Sequence, residues 1–283
     1  MIQPEKSATK FPISLAIITL NEASNLERCI RSVPFADDVV VVDSGSTDGT
    51  PEIAKRLGAT VVVEEWRGFR AQKQRATDLC KHNWVLSLDA DEELSAEAAA
   101  ELSALLQSPE LNQHDGYNFP RLSWNLGRWI RHGGWYPDLQ LRLYDRTRTS
   151  WQGGDKVHER VSATNIKRLT HPIFHYPFPT HAEQVSTNNR YSGLGAEELR
   201  ARGKKFSVLK LVFKPISKFL ETYLIKRGFM DGLPGFIIAV GAAYSVFLKF
   251  AKLWEIENQL GSKSGPSAKL EPSKLDPFDR VDS

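Results

Sequence analysis

The run Trp84-Val-Leu-Ser-Leu-Asp89-Ala-Asp91-Glu-Glu-Leu94 ends a short apolar stretch with two carboxylates separated by one residue. Set where a chain leaves a sheet, such a pair can hold a hard divalent cation, Mg²⁺ or Mn²⁺, and the cation can bridge to a diphosphate. An Asp-x-Asp arises often by chance, so its weight comes from what surrounds it. Earlier in the chain, Val39-Val-Val-Val42 runs into a second acidic loop, Asp43-Ser-Gly-Ser-Thr-Asp48-Gly-Thr50. Asp43 could accept hydrogen bonds from a ribose hydroxyl or a base N–H, and the glycines let backbone approach a ligand closely. The same loop also reads as a polar turn whose Asp and Ser satisfy local amides. A third loop, Thr19-Leu-Asn21-Glu22-Ala-Ser24-Asn25, could line a nucleotide base through backbone groups and Glu22. It reads equally as a helix start, with Asn21 and Glu22 favouring the first turn.

A second group of candidates lies further on, in Gly133-Gly134-Trp135-Tyr136-Pro137-Asp138-Leu-Gln140-Leu-Arg142-Leu-Tyr144. A reaction at a bound diphosphate would need a base for an attacking hydroxyl, placed across the site from the diphosphate, and Asp138 is the best candidate. Trp135 and Tyr136 can stack on a sugar face. Asp138, Gln140 and Arg142 have one strand parity and share a face, from which Arg142 could reach a phosphate bidentately. The alternative is a surface strand with a salt bridge. Lys156-Val-His158-Glu159 forms another polar knot, where His158 could complete a metal shell and Glu159 could meet an acceptor.

The elements that must position these residues alternate. Strands at 13–19, 39–42, 60–63 and 84–89 are separated by helices. The first helix carries Leu26, Cys29, Ile30 and Val33 at helical spacing. Thr50-Pro51 reads as an N-cap followed by proline at N1, and Gly58 as a stop. A helix from about Phe69 to Lys81 leads into the fourth strand, and Ser95 caps an Ala/Leu-rich helix to Gln107. Strand–helix alternation predicts a mostly parallel sheet covered on both faces, with ligands at the strand C-termini. Beyond Pro109, short strands near Tyr117–Phe119 and Leu139–Tyr144 are expected, then a polar helix over 181–203 with a break at Gly193/Gly195. No G-x-G-x-x-G and no Walker A lysine loop is present, which argues against dinucleotide oxidoreductases and P-loop NTPases.

The chain has 283 residues, 41% of them apolar and 25% charged, with a formal charge of +3. Residues 200–230 hold nine Lys or Arg and only Glu221 as an acid, leaving −5 for the remainder. The basic character is therefore local, and no nucleic-acid partner is expected. Cys29 and Cys80 fall in amphipathic helices and read as small buried residues rather than a disulfide framework. The first ten residues lack an apolar segment, so a cytoplasmic location is expected.

Residues 13–25, 39–50 and 84–94 together resemble family 2 glycosyltransferases of the GT-A fold, a Rossmann-like α/β class, over roughly residues 12–110. The resemblance implies that Asp43 contacts the uridine of a UDP-sugar, with Thr19, Asn21, Glu22, Ser44 and Asp48 around the nucleotide. It implies Asp89 near the ribose and metal, and Asp91 as ligand to Mg²⁺ or Mn²⁺. The second half is similar to the bacterial branch that glucosylates the heptose of the lipopolysaccharide inner core. That likeness runs to about residue 255.

In 206–223, apolar residues recur at helical spacing with Lys210, Lys214 and Lys218 between them. This is the pattern of a basic amphipathic element for an anionic membrane surface, with Pro215 expected to kink it. The apolar run Phe236–Leu248 is 13 residues, roughly 20 Å of helix against a hydrocarbon core of about 30 Å, so interfacial or re-entrant insertion, or packing on the domain, is expected rather than a span. The expected organisation is a flexible 1–11, a catalytic domain over 12–203 with a nucleotide-sugar half (12–110) and an acceptor half (111–203), membrane-associated helices over 204–260, and a disordered 261–283. The expected activity is inverting, metal-dependent transfer of a hexose, glucose first, to a lipid-linked saccharide by a peripheral enzyme at the inner face of the cytoplasmic membrane. The alternatives are a nucleotidyltransferase of related topology and a non-catalytic module that binds nucleotide-sugars at a membrane.

Overall fold

The computed structural model describes residues 10–153 and 160–258. Its first half alternates as expected: β1 (Phe11–Thr19), α1 (Leu26–Arg31), β2 (Ala36–Asp43), α2 (Thr50–Arg56), β3 (Thr60–Val63), α3 (Phe69–Leu79), β4 (Trp84–Asp89), β5 (Glu92–Leu94) and α4 (Ala96–Leu106). The second half is richer in strand: β6 (Gly116–Asn125), β7 (Arg128–Ile130), β8 (Asp138–Asp145), β9 (Ser150–Gln152), β10 (Arg160–Ser162), β11 (Ile166–Arg168) and β12 (Ile173–His175). Three helices follow, α5 (His181–Ala201), α6 (Val208–Leu220) and α7 (Gly232–Glu257).

The main sheet runs β3-β2-β1-β4-β8-β6-β12-β5. β3, β2, β1 and β4 are parallel, in register Thr19 with Asp43 and Ile18 with Asp89. β8 then joins antiparallel to β4, and β6 antiparallel to β8. The sheet is thus mixed, and its antiparallel part brings Asp138 to Arg121 across the β6–β8 pair. Period-two alternation buries both faces. Ile13, Leu15, Ile17, Leu86 and Leu88 pack with Leu26 and Cys29 of α1 and with α4. Ala16, Val40, Val42 and Val85 pack with Ala76 of α3, with Cys80 just after it, and with Tyr144 and Trp151.

Local differences from the expectations have local causes. Gly49, at φ +91°, is the N-cap of α2, and Thr50 is its first helical residue; Asp48 takes the capping part, its Oδ1 accepting from Thr50 N at 3.0 Å. Helix α5 is continuous through Gly193 and Gly195. α7 is 26 residues rather than 13, about 39 Å at 1.5 Å per residue. Pro234 falls in its first turn, where a missing N–H breaks no bond, and the helix continues past Lys249 and Lys252. Residues Gly228–Glu257 are by length and composition sufficient to cross a membrane, a test that a core helix also passes.

The chain divides into two compact units, residues 10–184 with Glu221–Ala239, and Val185–Leu220 with residues 240–258. In the second, Ala196, Phe250 and Leu253 form a small core with Phe206 and Leu211. Lys252 Nζ donates there to Asn189 Oδ1 (2.7 Å) and Ser192 Oγ (2.8 Å). α6 has no buried residue and carries Pro215 inside it.

Candidate active site

The three loops at the C-terminal ends of β1, β2 and β4 lie side by side, as parallel register requires. The first two are tied to each other. Asn21 takes the left-handed conformation (φ +56°), which an Asn tolerates, and its Oδ1 accepts from Thr47 N (2.9 Å) while its own N–H donates to Ser46 Oγ (2.7 Å). Glu22 N donates to Thr50 Oγ1 (2.9 Å) and Ala23 N to Asp48 Oδ2 (2.9 Å). The Thr50 hydroxyl bond is the main reason the Asp48 carboxyl lies below its usual range.

Asp43 is completely buried. Its Oδ1 accepts from the backbone N–H groups of Gly45 (2.9 Å) and Ser46 (2.8 Å), and its Oδ2 from the hydroxyls of Thr19 (2.9 Å) and Ser46 (2.5 Å). Four donors fill a carboxylate's acceptor sites. The polar-turn alternative describes its place here: Asp43 and Thr19 shape the loop from within. Ser44, half-buried, takes a bond from Gln72 Nε2 at 3.1 Å.

The two aspartates of the Asp-x-Asp run have different surroundings. Asp89 Oδ1 meets Lys73 Nζ at 2.9 Å and its Oδ2 meets Arg142 Nη2 at 2.5 Å. Burial opposes its ionisation, but Arg142 and Lys73 outweigh it and hold the carboxyl far below the usual carboxylate range. Arg142, expected to reach a phosphate, is itself buried and bonded to Asp89 and to Glu92 Oε1 (2.6 Å); its guanidinium is part of the framework. Asp91 is partly exposed, and its Oδ2 lies 3.4 Å from His175 Nε2. The other ring nitrogen of His175 is 3.0 Å from Ser123 Oγ. Glu22 is a further acid coupled to the site: burial raises its carboxyl above the usual value against a bond from Asn25, and Asp91, Asp48 and Asp89 raise it further.

Glu92, which the motif reading passed over, is fully buried and links the two halves of the site. Its Oε1 takes both Arg142 Nη2 and Arg121 Nη1 (3.1 Å), and its Oε2 takes the amide of Asp89 (3.1 Å). Arg121 in turn donates Nε (2.9 Å) and Nη2 (2.6 Å) to Asp138 Oδ2, and Gln140 Nε2 donates to Asp138 Oδ1 at 2.9 Å. A chain of alternating charge therefore runs Lys73, Asp89, Arg142, Glu92, Arg121, Asp138. Among the described residues, two bonds on Oδ2 and one on Oδ1 leave Asp138 one open acceptor site, on Oδ1. Trp135 and Tyr136 are half-buried just before it, and the Tyr136–Pro137 bond is cis. His158 and Glu159 lie outside the described residues.

Sequence reasoning missed Lys73, Glu92, Arg121 and His175. His175 sits on a three-residue strand between two proline-containing segments, too short for periodicity to show. The acidic run continuing past Asp91 was the available signal for Glu92.

Among the described residues no three His, Cys, Asp or Glu side chains are grouped to hold a metal by themselves. Asp91 and His175 fit a cation that arrives with oxygen ligands of its own, as Mg²⁺ or Mn²⁺ does on a diphosphate, and the Ser123 contact on the far ring nitrogen fixes the orientation of the imidazole. Asp89, with both oxygens on cationic side chains, does not fit that part.

Residues 14–159 match the profile of glycosyl transferase family 2. The chain is 36% identical over 258 residues to an uncharacterized glycosyltransferase of Rickettsia bellii, covering 87% of each chain. It is 32% identical over 253 residues to the lipopolysaccharide core biosynthesis glycosyltransferase LpsC of Rhizobium meliloti, covering 87% of this chain and 93% of that one. Among solved structures, it is similar to glucosyl-3-phosphoglycerate synthase of Mycobacterium tuberculosis, crystallised with Mn²⁺, UDP and glucosyl-3-phosphoglycerate. Identity there is 29%, over 29% of this chain and 34% of that one, at a TM-score of 0.27. The chain belongs to glycosyl transferase family 2, and it is a glycosyltransferase of the GT-A class. The nucleotidyltransferase and binding-module alternatives give way to that membership.

Proposed function

We propose that the enzyme transfers a hexose, glucose first, from a UDP-sugar to a lipid-linked saccharide such as the lipopolysaccharide core, with inversion at the sugar. The observation that carries the reading is the charge chain that ends on Asp138. It sets a carboxylate with one open acceptor site on the same sheet face as the Asp91–His175 pair. LpsC is a lipopolysaccharide core biosynthesis glycosyltransferase, which supports the acceptor class.

The uridine rests on the loops 19–25 and 43–50, met by Asn21, Glu22, Ser44 and Asp48, with Asp43 and Thr19 holding the loop from beneath. Asp91 and His175 would hold Mg²⁺ or Mn²⁺; a bound cation neutralises charge on the departing diphosphate as a Lewis acid. Asp138 Oδ1 takes the proton of the acceptor hydroxyl as that oxygen bonds to the anomeric carbon, and the bond to the diphosphate breaks, releasing UDP. Arg121 and Gln140 hold Asp138 in place, while Trp135 and Tyr136 offer flat surfaces to the acceptor sugar. The basic, unburied α6 suits the surface of an anionic membrane, at its cytoplasmic face.

The test is UDP release from a panel of nucleotide-sugars with Mn²⁺ or Mg²⁺, using membrane extract as acceptor. Release from UDP-glucose that depends on metal and on extract is the expected result. Release from GDP-sugars but not UDP-sugars would overturn the donor.

A further inference from the structure

The segment Glu221–Ala239 folds with the first unit and carries two features that the proposed chemistry does not use. One is a set of large apolar side chains in water. Leu224, Ile225, Phe229, Met230 and Leu233 are all exposed, Ile225 at 77% and Leu233 at 69%. Lys226 and Arg227 stand among them in the sequence. The other feature is Asp231, which is 1% exposed.

Asp231 is fastened to the loop that leads into the acceptor side. Its Oδ2 accepts from the backbone N–H groups of Arg131 (3.0 Å) and His132 (2.7 Å). Its Oδ1 lies 3.1 Å from His132 Nδ1 and 3.5 Å from Arg128 Nη2, and its carbonyl accepts from Arg128 Nη1 at 2.9 Å. Gly133 N donates to Lys226 O at 2.8 Å. The segment is compact because two glycines meet: a Cβ on Gly235 would come within 1.9 Å of the Gly228 carbonyl oxygen. From Gly133 the chain runs through Trp135 and Tyr136 to Asp138 without an intervening element.

We infer that residues 224–233 form a ridge that enters an anionic bilayer, and that Asp231 is a positioning residue which ties the ridge to the loop presenting Trp135, Tyr136 and Asp138 to a membrane-held acceptor. The occupant is a bilayer rather than a protein groove because exposed apolar side chains flank Lys226, itself paired with Glu221, and Arg227, and the chain entering the segment carries Lys210, Lys214 and Lys218. Docking then orders the acceptor loop, because the buried carboxylate fixes two consecutive amides of that loop. The inference rests on the lipid-linked-acceptor reading.

The test uses the full chain with phosphatidylglycerol/phosphatidylethanolamine vesicles, and amide hydrogen exchange across residues 128–134. In the wild type, vesicles should slow exchange at Arg131, His132 and Gly133 by about five-fold or more. The double variant Ile225→Ser/Phe229→Ser should lose vesicle binding and the slowing while acceptor-free UDP release stays within about two-fold. Asp231→Asn should still bind vesicles, lose the slowing, and raise KM for the membrane-extract acceptor about ten-fold, with kcat less affected. Should Asp231→Asn not fold, Arg128→Gln, on the exposed side of the same contact, should give the same changes in smaller measure. Vesicle binding unchanged in the double variant, or slowing retained in Asp231→Asn, overturns the inference. A wild type that shows the vesicle-dependent slowing but releases no UDP from any UDP-sugar supports the ridge and sinks the proposed reaction, so the two failures are distinct.

Discussion

Asp89 and Asp91 stand two residues apart at one strand end, and their surroundings are opposite. Asp89 is clamped between Lys73 and Arg142, inside a charge chain that is neutral as a whole. Asp91 is partly exposed, with the His175 imidazole 3.4 Å from its Oδ2. A similar contrast separates Asp43, buried under four donors, from Asp138, which keeps an acceptor site open. Asp43 is filled with donors and Asp89 is ion-paired on both oxygens; neither description holds for Asp91 or Asp138. The two side chains are about equally exposed, so the difference is one of charge: Asp89 has a cationic side chain on each oxygen, whereas Asp91 has an imidazole beside it.

The largest effect that would break this comparison is on stability. Arg142→Met leaves Asp89 and Glu92 without their shared cation in the interior, and should cost about 3–5 kcal/mol in urea unfolding. A loss below about 1 kcal/mol would remove Arg142 from the framework. Asp91→Asn should do the reverse. Metal-dependent UDP release should fall on the order of 10²–10³-fold while the unfolding midpoint stays put, as for loss of one transition-state contact. Substantial release by that variant would take the metal from Asp91. A smaller effect concerns the approach to His175. Glu101 accepts from the amides of Thr170 (2.9 Å) and His171 (3.0 Å) just before β12. Burial pushes its carboxyl up, but these bonds outweigh burial and hold it below the usual value. The folded form is thus favoured by ionised Glu101: its contribution is present above the unfolded carboxyl's range and lost as pH falls through the lower folded value. Glu101→Gln should therefore lower Tm by a few degrees at pH 7, with the gap closing in acid. A gap that widens in acid would contradict the assignment.

The parallel half of the fold was legible because it repeats. Valine and isoleucine runs, a Ser95 cap and helical spacing at Leu26, Cys29 and Ile30 are local signals, and the strand ends they delimit carry the acidic loops. The antiparallel half was less so: β7, β10, β11 and β12 are three residues each, below the length at which alternation shows. His175 and the Arg121–Asp138 pair depend on which strands lie side by side, a long-range fact. Spacing did place Asp138, Gln140 and Arg142 on one face, but not that a buried Glu92 would claim Arg142. The length of α7 was underread because Pro234 and Lys249 look like ends, while a helix accepts proline in its first turn and lysine on an exposed side.

The claim that Asp138 performs the proton transfer while the charge chain only holds it meets its most direct test in one assay. UDP release from the UDP-sugar is measured for Asp138→Asn with and without membrane extract. The account predicts that extract-dependent turnover falls about 10²–10⁴-fold while UDP binding and acceptor-free release are retained. Turnover near the wild-type value on the same extract would contradict it.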